Sequence, residues 1–102
     1  MPLTKIATKS DLPTPGRAKE FTVGDKIICV ANVEGECSAM DNVCLHRGGP
    51  LGEGNLSGSV VTCPWHGWKF DVRTGSFTVI PTLKVTTYKV REQEGSVMVE
   101  VP

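Results

Sequence analysis

The sequence has almost no histidine: two in 102 residues, His46 and His66. It also lacks any imbalance of charge, with 11 basic and 11 acidic residues and a formal net charge of zero. A protein that grips nucleic acid through its phosphates carries a basic excess, so composition gives that class no support. Neither sign is gathered into a run. No apolar stretch could span a bilayer, and the opening MPLTKIATKSDLPTPG has no apolar centre of signal-peptide length. The expected location is therefore cytoplasmic, with no membrane and no nucleic acid among the partners. No segment reads as a helix of useful length, and there is no repeat or low-complexity tract. A chain this short makes one compact domain with a modest core, to which a bound metal would add stability. Four cysteines in a cytosolic chain point to metal binding rather than to a disulfide frame.

What the chain does have is short β runs punctuated by turns. Leu3 to Thr8 reads as a strand, and Ser10 to Gly16, with Pro13 and Pro15, as a loop. Glu20 to Val23, a Gly24-Asp25 turn and Lys26 to Asn32 make a hairpin. A second turn at Glu34-Gly35 leads to Glu36–Met40. From about Asp41 to Thr78 the composition changes and Gly, Cys, His and aromatic residues dominate. Strands resume at Val85 to Arg91 and, after a polar turn, at Ser96 to Val101, where Val97, Val99 and Val101 alternate to one face. The pattern predicts an antiparallel all-β domain that exposes one specialised loop region on a rigid base.

Within that region, Cys44-x-His46 and Cys63-x-x-His66 are separated by 16 residues and use both histidines of the chain. Thiolate and neutral imidazole are ligands for borderline-soft transition metals. Gly48, Gly49 and Gly67 permit tight turns around an ion, and Pro50 and Pro64 stiffen the same loops. Gly54 to Val61 reads as a turn feeding a short strand that would bring the loops side by side. A lone Cys or His is usually core or surface; two mixed pairs on glycine-rich loops make metal binding the better reading. Zinc fingers usually pair two cysteines at one end with two histidines at the other. Here each loop holds one of each, which suits a two-iron cluster with thiolates on one iron and imidazoles on the other.

The run Cys44-Leu45-His46-Arg47-Gly48, then Cys63-Pro64-Trp65-His66-Gly67-Trp68, then Phe70-Asp71 and Thr74-Gly75, strongly resembles the Rieske family. It looks most like the soluble, low-potential Rieske-type [2Fe–2S] ferredoxins associated with oxygenases and like the Rieske domains of oxygenases. The resemblance implies a Rieske-like antiparallel β-sandwich with a loop-rich cluster-binding subdomain. Residues 1–102 would form a single Rieske domain, its base at 1–40 and 79–102 and its insert at about 41–78. The cofactor would be one [2Fe–2S] cluster held by Cys44, His46, Cys63 and His66, the cysteines on the buried iron and the histidines on the outer one. Pro81 is the candidate for the family's proline loop that covers the cluster.

Two departures bear on the electron energetics. Respiratory relatives carry a further cysteine in each loop, joined as a disulfide; the matching positions are Gly49 and Trp65, so that bridge cannot form. High-potential relatives place a Ser and a Tyr to donate to the cluster sulfurs; the matching positions are Trp68 and Phe70. Indole donates only through Nε1 and Phe not at all, so the potential should lie low in the Rieske range. It should still exceed that of a four-thiolate cluster, which begins more negatively charged.

Of the other residues, Cys29 and Cys37 read as small buried side chains, and Phe21, Phe70, Phe77 and Tyr88 as core. Trp65 reads as exposed and Trp68 as packed. Asp71 with Arg73 and Thr74-Gly75 reads as a turn with local hydrogen bonds, and Arg47 as a solvated or partner-steering residue. Lys84, Lys89 and Arg91 read as a solvated face.

The resemblance implies a one-electron carrier, not an enzyme by itself, that passes electrons from a flavin-dependent reductase to a terminal oxygenase of a dioxygenase-type system and binds no organic substrate directly. The chain runs from Met1 to just past its last strand, as a whole ferredoxin would. A full oxygenase would need a further 2-His-1-carboxylate iron site, and no histidine is left to build one. Two alternatives stay open: a small electron-transfer subunit of a nitrite-reductase-like complex, and a structural zinc-binding module.

Overall fold

The computed structural model describes residues 3–24, 26–44, 48–65 and 67–100. Among the described residues ten strands follow one another: β1 (Leu3–Thr8), β2 (Ala18–Val23), β3 (Lys26–Val33), β4 (Glu36–Asp41), β5 (Asn55–Ser57), β6 (Val60–Thr62), β7 (Lys69–Asp71), β8 (Thr87–Tyr88), β9 (Val90–Gln93) and β10 (Ser96–Glu100). They form three antiparallel sheets, ordered β1-β10-β9, β2-β3-β4-β8 and β5-β6-β7.

The second sheet is the middle layer, and β3 shows why. Its sequence KIICVANV is buried from Ile28 onward on both faces. Side chains alternate across a strand. Ile28 and Val30 therefore enter one core with Ala7, Phe21, Val23, Ala39, Tyr88 and Val99. Cys29, Ala31 and Val33 enter another, with Met40, Leu51, Val61, Phe70, Phe77, Cys44 and Cys63. The first core joins the middle sheet to β1 and β10; the second joins it to the small sheet of β5, β6 and β7. The loops that carry Cys44 and Cys63 are thus rooted in a core of their own.

Turn chemistry fixes the registers. Glu34 and Gly35 both have positive φ, 53° and 95°, between the paired residues Val33 and Glu36. A two-residue hairpin with both central residues left-handed matches the twist of the flanking strands. Glu94 and Gly95 repeat it between β9 and β10.

Three features differ from the sequence expectation. The run from Val85 to Arg91 is not one strand: β8 pairs with β4, and β9 pairs with β10 in the other sheet. The chain changes layers at Lys89, which a period-two pattern cannot signal. The stretch from Gly54 to Val61 is a hairpin of two three-residue strands, and β7 adds a third, so this part of the chain carries its own sheet. Strands this short contain too few residues to display a period. The loop after β1 opens with a single 3-10 turn at Lys9–Asp11, where the Thr8 hydroxyl donates to Asp11 Oδ2 at 2.9 Å.

Candidate metal centre

The two cysteine loops are structural twins. Cys44 N–H donates to the Gly49 carbonyl at 3.0 Å, and Cys63 N–H donates to the Trp68 carbonyl at 2.7 Å. Each loop is therefore closed at its cysteine by the residue five positions on. Each also rests on a paired stem, Val43 with Pro50 in the first and Thr62 with Lys69 in the second. Gly48, with φ of 74°, donates back to the Cys44 carbonyl at 2.8 Å and tightens the first loop.

Both cysteines are almost wholly buried, at 2% and 1% exposure, and neither is in a disulfide. The two thiols are neighbours, near enough for Cys44 to push the Cys63 thiol up. Burial holds the Cys63 thiol above its ordinary value; a hydrogen bond with the Trp65 backbone opposes this, and the neighbouring Cys44 adds to it. His46 and His66, with Leu45 and Arg47, lie outside the described residues. No group of three or more His, Cys, Asp or Glu side chains that could hold a metal forms among the described residues.

Gly49 shows that the space beside the thiols is tightly held. A Cβ at this position would lie 2.6 Å from Cys63 Sγ, 3.0 Å from Trp65 Cγ and 3.1 Å from Trp65 Cβ. Positions 49 and 65 therefore face each other across the two loops, as the correspondence with a disulfide-bearing pair implied. A buried pair of facing thiols, on loops closed by backbone bonds, fits the thiolate half of a mixed-ligand iron–sulfur site.

Each loop is anchored by contacts of its own. Asn42, 3% exposed, does this for the first: its Nδ2 donates to Glu20 Oε2 at 2.6 Å on β2, and its Oδ1 accepts from Gly52 N–H at 2.6 Å. Its backbone N–H donates to the Ile27 carbonyl, and its own carbonyl accepts from Leu51 N–H at 2.7 Å. Sequence reasoning missed Asn42; its only signal was a residue able to donate and accept at a strand end. The second loop is held by aromatic packing. Trp68 stacks on Phe77 with ring centroids 4.1 Å apart and planes 6° from parallel, and Phe70 lies against Phe77 at 5.6 Å.

The expected core aromatics Phe21, Phe70, Phe77 and Tyr88 are buried, Trp65 is half exposed and Trp68 is packed. Asp71 Oδ1 accepts from Arg73 N–H at 2.9 Å, and the Asp71 carbonyl accepts from Gly75 N–H at 2.7 Å, making the expected turn. Cys29 is buried, but Cys37 is only half-buried. Lys84, Lys89 and Arg91 are exposed, with Arg91 beside Glu100 at 3.5 Å. Pro81 stands exposed in the loop that Phe77 N–H closes onto the Leu83 carbonyl.

The family model described as the Rieske [2Fe–2S] domain matches residues 3–89. The chain belongs to the Rieske [2Fe–2S] domain family. The Rieske chain is 38% identical over 102 residues to the ferredoxin component of biphenyl 2,3-dioxygenase from Rhodococcus jostii (strain RHA1), covering 99% of this chain and 94% of that one. Among solved structures it is similar to the Sphingomonas yanoikuyae B1 ferredoxin, with TM-score 0.87 and 27% identity over 99% of this chain and 100% of that one. It is also similar to a chain in the complex of reduced oxygenase and oxidized ferredoxin in carbazole 1,9a-dioxygenase, with TM-score 0.82 and 32% identity over 95% and 91% of the two chains. Its cofactor is one Rieske-type [2Fe–2S] cluster. No helix among the described residues is long and apolar enough to cross a membrane.

Proposed function

We propose that this protein is the Rieske ferredoxin of a dioxygenase-type system, a cytoplasmic one-electron carrier that takes electrons from a flavin-dependent reductase and delivers them to a terminal oxygenase. The observation that carries this reading is the pair of buried, neighbouring thiols on twin backbone-closed loops. The match to a dioxygenase ferredoxin component over nearly the whole of both chains supports it. It favours a carrier over a zinc module, and the oxygenase setting over a nitrite-reductase subunit.

The whole chain acts as one domain in this proposal, with its base at 1–40 and 79–102 and its insert at about 41–78. Cys44 and Cys63 bind as thiolates, while His46 and His66 supply neutral imidazoles. When bound, the cluster takes up and releases one electron. The protein's own part is to place and surround it. The Cys44 and Cys63 backbone bonds fix where the sulfurs sit, Gly49 leaves them room, the Asn42 junction ties the first loop to β2 and β3, and the Trp68–Phe77 stack braces the second. The Pro81 loop covers the site. Phe70, fully buried, offers no hydrogen-bond donor. With Phe there, negative charge on the cluster sulfurs is less offset, and the potential sits low in the Rieske range.

The ligand assignment is tested by the visible and EPR spectra of the His46→Ala and His66→Ala proteins. Each should lose the Rieske signature while the fold, followed by far-UV circular dichroism, remains. An unchanged spectrum in either variant sinks the assignment of that histidine.

A further inference from the structure

Where the chain passes from β8 to β9 it leaves the middle sheet for the sheet of β9 and β10, and a cavity of about 400 Å³ opens beside the crossover. Its walls come from β4 and β8, from β9 and β10, and from the turn that follows β7. The registers show why it forms. Pairing of β4 with β8 ends at Ala39 with Tyr88, and Val90 already pairs with Val99 of β10. Ser38 and Cys37 are left without a strand neighbour on that side and stand in the cavity wall. No residue of either cysteine loop, 44–49 or 63–68, lines it.

The charge around this cavity is unbalanced. Arg73 and Lys89 line it from separate segments, the turn after β7 and the crossover itself. Neither is in an ion pair among the described residues. Glu100 is the one carboxylate among the lining residues, and Arg91 already holds it at 3.5 Å. Glu92, whose charge reaches the Cys37 thiol, is itself beside Lys9 at 3.7 Å. Lys9 and Arg91 thus use the carboxylates of this face, and two cations on one cavity are left over. Two like charges repel, and an anion between them relieves the repulsion. The guanidinium fork matches carboxylate and phosphate oxygens, and the hydroxyls of Ser38, Thr86 and Thr87 offer further donors. A cavity of a few hundred Å³ with convergent polar groups on partly apolar walls, here Val72 and Val90, is how proteins hold small ligands.

We infer that this cavity binds a small oxyanion carrying two or more negative charges, a phosphate or a dicarboxylate, clasped between Arg73 and Lys89. The inference stands independently of the ferredoxin reading. A bound anion would join the turn after β7 to the crossover between β8 and β9. β7 also pairs Lys69 with Thr62 in the stem of the second cysteine loop, so the anion would brace the strand that leaves that loop. Cys37 does not oppose it: burial, with a smaller contribution from Glu92, holds the thiol above its ordinary value, so it stays neutral. It also serves as a reporter, because Cys29, Cys44 and Cys63 are buried and Cys37 alone is half-buried.

The test titrates inorganic phosphate, and separately succinate, into the intact cluster-loaded protein in a calorimeter, with ionic strength held constant by potassium chloride. The inference expects saturable binding of one anion per chain for at least one of the two, and which one binds separates phosphate from carboxylate recognition. Arg73→Gln and Lys89→Gln should each weaken it about tenfold or more, while the EPR spectrum stays that of the parent. Lys84→Gln removes an exposed cation that does not line the cavity and should change nothing. Alkylation of Cys37 by iodoacetamide, a neutral reagent, locates the anion when read by mass spectrometry. An anion at about ten times its Kd should slow that reaction about tenfold. Absence of saturable heat from either anion up to about 20 mM overturns the inference, since the cations are then merely solvated. Binding that survives both glutamine substitutions, or that leaves Cys37 alkylation unslowed, overturns it as well.

Discussion

Gly49→Ala is the smallest change that should empty the site. The added methyl would stand 2.6 Å from Cys63 Sγ and 3.0 Å from Trp65 Cγ, where ordinary contact begins at 3.4 Å. The sulfur, or the first loop, must therefore move by about 0.8 Å, while a workable metal site tolerates ligand distances within about 0.2 Å. Neither side can yield easily, because both loops are closed by short backbone bonds at their cysteines. Overpacking of this kind costs about 1–3 kcal/mol, which lowers the melting temperature of a domain this size by about 4–20 °C. The metal-free fold should survive, while iron per chain and visible absorption after reconstitution fall severalfold. Gly16→Ala is the control: its φ is 86° but nothing lies within 4 Å of the new methyl, so it should lose a little stability and keep its iron. A Gly49→Ala protein with full iron and an unchanged EPR spectrum would refute the argument that this close approach governs the site.

Other outcomes follow from the same geometry. Asn42→Ala leaves the Gly52 N–H and the Glu20 carboxylate without their partner, which should destabilise by about 2–3 kcal/mol. The thermal melt reads this directly, and a melting temperature within a degree of the parent would contradict it. Burial, with a smaller contribution from Glu20, pushes the Cys29 thiol from its ordinary 9.0 up to about 12. Above pH 9 the unfolded chain therefore gives up a proton that the folded one keeps, and stability should fall by up to about 1.4 kcal/mol per pH unit until about pH 12. Burial and Asp41 raise the Tyr88 hydroxyl as well, which adds to the loss at the alkaline end. Urea midpoints at rising pH should show the decline, and Cys29→Ala should flatten it; a parent midpoint that stays constant would rule it out. Phe70→Tyr introduces a hydroxyl where the high-potential relatives have one. A hydrogen bond worth about 1 kcal/mol more to the reduced form raises a one-electron potential by about 40 mV, and a redox titration showing no rise would sink the explanation of the low potential.

The cofactor was legible because the residues that suggest it are rare. Two histidines, each beside a cysteine on a glycine-rich loop, leave few competing uses. The facing of positions 49 and 65 came from the same motif, and the close approach at Gly49 supports it. The base strands β1 to β4 were legible because β-branched runs are interrupted by turn pairs such as Glu34-Gly35. What the sequence hid were properties set by long-range partners. Lys89 is where the chain leaves one sheet for another, and nothing local marks it. The sheet of the insert uses three-residue strands, too short for a period. Asn42 joins β2, the start of β3 and the turn after Pro50, contacts up to 22 positions apart in sequence. The groove that Ile27, Val43 and Trp65 line together likewise exists only once the hairpins have folded.

The most direct test of the central claim is low-temperature EPR of the anaerobically purified protein before and after dithionite, with iron, sulfide and zinc counted on the same sample. The account predicts a red-brown protein with two irons and two sulfides per chain, silent when oxidised and giving a Rieske-type signal when reduced. A colourless protein with one zinc per chain, or a reduced signal of the four-thiolate type, would contradict it.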